Sequence, residues 1–156
     1  MPGPMMQKSD EELRRDRLHF YREEMAEINA TLRAFLARAK ASAAFLVDKD
    51  GHLITREGVD DRIDVDSICG LVAGAFAATR QMAVIMGEDT FLNLFHQGKR
   101  KNIQVTLVGN RTILSVVFDD TTTIGMVRLY LAEAANTLTT IFQRILVRQQ
   151  RAESEG

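Results

Sequence analysis

Apolar residues recur at spacings of three and four from Tyr21 through Met25, Ile28, Leu32 and Phe35, the periodicity of an amphipathic helix. Ser9 and Glu12 have the spacing of a capping box, in which each side chain satisfies the other's free amide. The helix is therefore predicted to begin there and to reach about Lys40, with the mostly charged Asp10–His19 overhanging the domain. The period then changes. Ala43–Val47 is a continuous apolar run and His52–Glu57 alternates, with Asp50-Gly51 between them, a pair that favours a type I′ hairpin turn. Loop residues Gly58–Asp64 follow, and Asp64 or Asp66 caps a second helix that ends at Met86, before Gly87.

Three more strands are predicted, at Thr90–Gln97, Asn102–Val108 and Ile113–Phe118. A "GKRKN" turn separates the first two, and Gly109-Asn110, a two-residue hairpin signal, the last two. Ile103, Val105 and Leu107 face one way, Gln104 and Thr106 the other. A last helix spans roughly Ile124–Gln149 on a stripe of Val127, Leu131, Ala134, Leu138, Ile141, Phe142 and Ile145. The order is α-β-β-α-β-β-β-α, an α/β fold. Ala43–Val47 and Ile113–Phe118 are apolar on both faces, which marks central strands covered on both sides. The expectation is a five-stranded, mostly antiparallel sheet with helices on both faces. The first and last helices share one face and the second covers the other alone. Residues 1–20 read as a tail and helical extension, 21–149 as the domain and 150–156 as a second tail.

The second helix carries two stripes. Ile68, Leu71, Val72, Ala75, Met82 and Ile85 form a bulky one, read as facing the sheet. Gly70, Ala73, Gly74, Ala77 and Gln81 form a small one, turned away, and Ala78 lies beside it. A helical glycine costs about 1 kcal/mol relative to alanine, and this helix has two, four apart. Small residues at such spacings admit another backbone at close range. The visitor is either a neighbouring helix of the same chain or a partner outside it; the topology offers no second helix on that face and so favours the partner. "TFLNLFHQG" poses a related problem. An aromatic strand left open at a sheet edge is a liability, and pairing with a second copy about a two-fold axis would close it.

Composition alters this picture little. The 156 residues suit one domain, and 46% hydrophobic residues suffice for a core. With 20 basic and 21 acidic residues the formal net charge is -1, no basis for bulk nucleic-acid binding. A single cysteine, Cys69, excludes an internal disulfide and suits a reducing compartment. The N-terminus lacks a signal-peptide core. The apolar stretch around Ile68–Ala78 is shorter than the ~20 residues of a bilayer span. A cytoplasmic protein without membrane insertion is expected.

Candidate chemistry is sparse. His19, His52 and His96 fall on three elements, and none is expected near Cys69 or carboxylates at metal-ligand spacing. "DKDGH" looks like the start of a calcium loop, but its glycine comes too early and position twelve is Val59. Ser42, Ser67 and Ser115 lie in no nucleophile elbow. "GNRT" and "GEDT" lack the glycines and lysine of a phosphate cradle, and Gly98–Lys101 reads as a solvated basic turn. No enzyme, metal or cofactor chemistry is expected.

The order of elements and a series of local motifs resemble the Roadblock (dynein light-chain-like) family, and within it the bacterial MglB type. The matching stretches are "EEMAEINATL", "FLVDKDGHLI", Ala73-Gly74, "MGEDTF", "FHQG", "VFDD" and "GMVRL", which together extend from Tyr21 to Val147. The resemblance implies a homodimer joined through the third strand and second helix. It also implies a platform of two second helices on which a Ras-like small GTPase, MglA-like, docks. Regulators of this type stimulate GTP hydrolysis without an arginine finger, in cell polarity or motility; other family members only scaffold, or promote nucleotide exchange. Carried over by residue, the platform is Gly70, Ala73, Gly74, Ala77, Ala78 and Gln81, and the dimer edge is Phe91, Asn93 and Phe95. Arg80-Gln81 departs from the small residues expected to continue past Ala78. Larger groups there tune the choice of GTPase or add a contact to it, and Arg80 is the position from which a finger would be inserted.

Overall fold

The computed structural model describes residues 9–58 and 62–155, with the backbone alone at position 10 and over 12–21. Helix α1 spans Asp10–Ala39, followed by strands β1 (Ala43–Asp48) and β2 (Leu53–Gly58). Helix α2 (Val65–Met86), strands β3 (Asn93–Gln97), β4 (Asn102–Val108) and β5 (Thr112–Phe118), and helix α3 (Ile124–Ser154) complete the predicted order. The capping box at Glu12, the stripe position Tyr21, and His19 fall on side chains outside the described residues. Helix α3 runs five residues beyond the expected Gln149, so part of the predicted tail is helical.

The sheet has the order β2-β1-β5-β4-β3, with every pair antiparallel. Strands β1 and β5 are central, as their two-sided apolar runs predict, and β2 and β3 are the edges. One face carries Ala44, Leu46, Leu114, Val116 and Phe118 against α1 and α3. The other carries Ala43, Phe45, Val47 and Val117, then Val105 and Ile113, against α2. Period-two alternation therefore divides each strand between two cores.

Helices α1 and α3 run antiparallel, as their ion pairs show. Arg38 meets Glu133 at 3.0 Å, Arg144 meets Glu27 at 3.0 Å, and Arg148 meets Glu24 at 2.7 Å. Glu24 is buried, and Arg144 also lies 3.8 Å from it. Both arginines remain close to half exposed, so removing the carboxylate leaves guanidiniums that water still reaches. Glu24→Ala is expected to lower unfolding stability by about 1–2 kcal/mol, less than a fully enclosed pair, as measured by urea denaturation.

Two turns differ from their sequence-based expectations. In the β1–β2 hairpin only Gly51 has positive φ, +91°, so a type I′ turn, which needs two such residues, is excluded. Asp48 organises the turn instead: its Oδ1 accepts from the amides of Asp50 and His52, both at 2.9 Å. This is the Asx arrangement that competes with a plain backbone turn. In the β4–β5 hairpin Val108 pairs with Thr112, so the loop holds three residues rather than two. Gly109 takes the positive φ, +67°.

Asp64, not Asp66, caps α2. It adopts extended backbone and accepts from the Ser67 amide at 3.2 Å and the Ser67 hydroxyl at 2.7 Å. The hydroxyl first and the amide second hold the Asp64 carboxyl below its ordinary value of 3.8. Thr121 does the same for Asp119. At Asp48 partial burial pushes upward, but the amides of His52 and Asp50 outweigh it and the net shift is downward. Their folded-state values lie below the unfolded ones, so the stabilisation is complete above pH 3.8 and is lost as pH falls through the lowered values. The melting temperature is expected to fall as the solution is acidified below that point, and Asp64→Asn to make the fall shallower.

Candidate partner-binding surface

Helix α2 is apolar almost all round, and its rotation on the sheet decides what it offers outward. The buried residues are Val65, Cys69, Val72, Ala73, Phe76, Thr79 and Ala83. Phe76 and Val72 pack with Val105 and Ile113, and Cys69 and Val65 with Phe45 and Val47. Of the bulky stripe expected to face the sheet, Leu71, Met82 and Ile85 are instead 73%, 52% and 85% exposed. The helix is turned by one residue step, ~100°, from that expectation. Phe76, which belongs to neither predicted stripe, sets the rotation because its ring is the largest group that the sheet can cover.

The small residues divide accordingly. Gly70, Gly74, Ala77, Ala78, Arg80 and Gln81 are exposed, whereas Ala73 is buried at 7%. The expected outward position of Ala73 is thus corrected: it lies under the β1–β2 turn, where a Cβ on Gly51 would come 3.6 Å from its own Cβ and 3.1 Å from Gly70 Cα. The two helical glycines behave differently. A Cβ placed on Gly70 or Gly74 meets nothing within 4 Å. Nothing else in the described chain requires their missing side chains, so the packing of this protomer does not explain them.

Around this bare floor stand exposed apolar groups, Leu71, Met82, Val84, Ile85 and Met86, with Leu92 on the following loop. Large exposed apolar patches are the usual mark of interaction surfaces. Helix α2 is also the one helix among the described residues long and apolar enough to cross a membrane by length and composition, which corrects the estimate from Ile68–Ala78 alone. One face of it nonetheless packs on the sheet. Cys69 sits on that inner face, and burial first and the Asp66 charge second raise its thiol pKa; it is a neutral packing group.

The expected edge residues lie where β3 closes the sheet. The strand begins at Asn93, three residues later than predicted, leaving Phe91 in the preceding loop. The Leu107 amide donates to the Leu92 carbonyl and the Gly98 amide to the Lys101 carbonyl. Antiparallel ladders alternate, so Leu94 and His96 direct their backbone groups at β4, and Asn93, Phe95 and Gln97 direct theirs outward. Phe95 is not purely an edge residue. Its ring stacks on Phe118 at 6.1 Å and lies under the Arg128 guanidinium at 6.0 Å. The Asn93 Oδ1 accepts from Thr106 Oγ1 at 2.7 Å and Gln104 Nε2 at 3.2 Å.

Comparison with known protein families matches residues 27–118 to the Roadblock/LC7 domain. The chain belongs to the Roadblock/LC7 family. Among solved structures, Myxococcus xanthus MglB is 41% identical, with a TM-score of 0.72 over 75% of this chain and 95% of that one. The gliding protein MglB from Thermus thermophilus is 29% identical, with a TM-score of 0.74 over 78% and 92%. A structure of MglB with a tetrameric arrangement is also 29% identical, with a TM-score of 0.72 over 80% and 91%. No curated protein sequence matches. The Roadblock/LC7 match spans β1–β5 and α2, the elements that carry the exposed surface, and leaves α3 and the start of α1 outside it.

Two features were hidden from sequence reasoning. The first is the closeness reached within "DKDGH", set aside as a calcium loop on its spacing: ligand-type atoms of Asp48, Asp50 and His52 all lie within 4.8 Å of one another. The Asp48 Oδ1 already serves the turn amides and its Oδ2 lies 3.3 Å from His52 Nδ1. The second is a notch beside α2 between the two hairpin turns, with Lys49 and Arg80 on its rim. Neither cation shares a motif with the other, so only the fold places them together.

Proposed function

We propose that this Roadblock/LC7 protein binds a Ras-like small GTPase of the MglA type, as a homodimer, and stimulates its GTP hydrolysis. The observation that carries the reading is the outer face of α2, where Gly70 and Gly74 lie in open space amid exposed apolar residues. Likeness to MglB at 41% identity supplies the type of partner. The open β3 edge, with Asn93, Phe95 and Gln97 backbone groups facing outward, supports the homodimer. Phe91, in the loop leading into β3, is assigned to the same interface.

The protein acts as a regulator rather than an enzyme. It holds a hydrolysis-ready conformation of the GTPase and shifts the population toward it, so the catalytic residues are the GTPase's own and Arg80 is not a finger. It needs no cofactor and no nucleic acid, does not insert into membranes, and works in the cytoplasm in polarity or motility control. The test is the single-turnover GTP hydrolysis rate of a purified MglA-type GTPase with and without the protein. An increase of at least about tenfold is expected, a modest share of the 10³–10⁵ that an arginine finger supplies. Binding without a rate change would make it a scaffold, and faster release of labelled GDP an exchange factor.

A further inference from the structure

The notch beside α2 is floored by Phe76, Leu107 and Ile113 and rimmed by Lys49, Arg80 and Asn110. Ala73 and Ala77 line its α2 wall, so it opens directly beside the exposed small-residue floor. Lys49 comes from the β1–β2 turn and Arg80 from α2, two elements with no sequence relation. Neither side chain has an ion pair or hydrogen bond among the described residues, whereas Arg33, Arg38, Arg144 and Arg148 are all held by glutamates. No acid among the described residues lines the notch. Asp48 and Asp50 flank Lys49 on its turn, but neither lines the notch or pairs with Lys49, and the Asp48 carboxylate turns to the amides of Asp50 and His52 and to the His52 ring. The volume, about 30 Å³, admits one small group. An apolar floor, two unmatched cations and an amide are complementary to a single carboxylate carried on an apolar segment.

We infer that this notch receives an aspartate or glutamate side chain of the docked GTPase, clamped between Lys49 and Arg80, and so selects which GTPase fits the α2 face. The inference rests on the GTPase-binding reading of that face. It gives Arg80 a role in the ground-state complex: a guanidinium on a partner carboxylate strengthens binding without acting on the phosphate.

Charge reversal of each cation tests it, with an MglA-type GTPase loaded with a non-hydrolysable GTP analogue as probe and affinity read by calorimetry. Both positions are exposed, and unchanged circular dichroism and melting temperature confirm folding of the variants. Lys49→Glu and Arg80→Glu should each weaken binding at least about tenfold and flatten its salt dependence. Replacing the acidic residue of the GTPase that meets the notch by lysine should restore the affinity of Arg80→Glu. If the wild-type protein binds and Gly74→Arg abolishes binding, but both reversals stay within about twofold, the notch assignment is overturned and the GTPase reading stands. If Arg80→Ala slows hydrolysis at saturation without altering affinity, Arg80 acts in the transition state and the clamp is overturned. If the wild-type protein binds no such GTPase, both readings fall together.

Discussion

Gly74→Arg is expected to abolish GTPase binding, weakening it by roughly 100-fold or more, while the protomer folds and self-associates as before. Position 74 lies at the centre of the outer face of α2, where an added Cβ meets nothing within 4 Å. The chain itself therefore accommodates arginine, and removing a helical glycine stabilises α2 by a few tenths to about 1 kcal/mol. A docked partner does not accommodate it, because the side chain fills the clearance that two glycines leave. Calorimetric titration with a GTP-analogue-loaded GTPase reads the loss, and a thermal melt at or above the wild-type midpoint shows that folding is intact. Retained binding with wild-type affinity would remove α2 from the interface.

The second large effect concerns the edge strand. Gln97→Pro is expected to raise the dimer dissociation constant at least about tenfold, as followed by light scattering across a dilution series. The Gln97 amide points away from β4, so proline deletes a donor that no bond within the protomer uses. His96→Pro, one residue earlier, would delete a β3–β4 ladder bond and destabilise the protomer itself. Phe95→Asp, the obvious substitution from sequence, is a poorer test because Phe95 also stacks on Phe118. Its loss would loosen the core by a few kcal/mol together with any effect on the edge. A dimer unchanged by Gln97→Pro would place the self-association surface elsewhere than β3.

Most of the architecture could be read from local pattern. The two-sided apolar runs of β1 and β5 announced central strands, and Asp64 or Asp66 with Gly87 bracketed α2, because capping needs only a few neighbouring atoms; the fold chose Asp64. The glycine pair at 70 and 74 also stood out, since a helix tolerates such residues only at a cost. The outward turn of Gly70, Gly74, Ala77 and Gln81 was read correctly, whereas the bulky flank and Ala73 were misplaced. An apolar stripe identifies a buried face only when the opposite face is polar. In α2 Leu71, Met82 and Ile85 are as apolar as Val72 and Phe76, so periodicity alone assigned the wrong flank. The two hairpin turns failed for a different reason. Asp48 supplies a side-chain acceptor to the first, and the β4–β5 register adds a residue to the second; dipeptide preference contains neither.

Local chemistry thus settled the elements, their order, the central strands, and the presence of an unusually bare helix. These depend on interactions a few residues apart, which spacing and residue type record directly. Tertiary packing settled which face of α2 is bare, that Ala73 is sealed beneath Gly51, that Asn93, Phe95 and Gln97 turn their backbone outward, and that Lys49 and Arg80 share one notch. Each of these is a relation between elements distant in the chain. The seating of Phe76 on Val105 and Ile113 orients α2 against the hairpin turns, and the β3–β4 register sets the outward backbone of the edge strand.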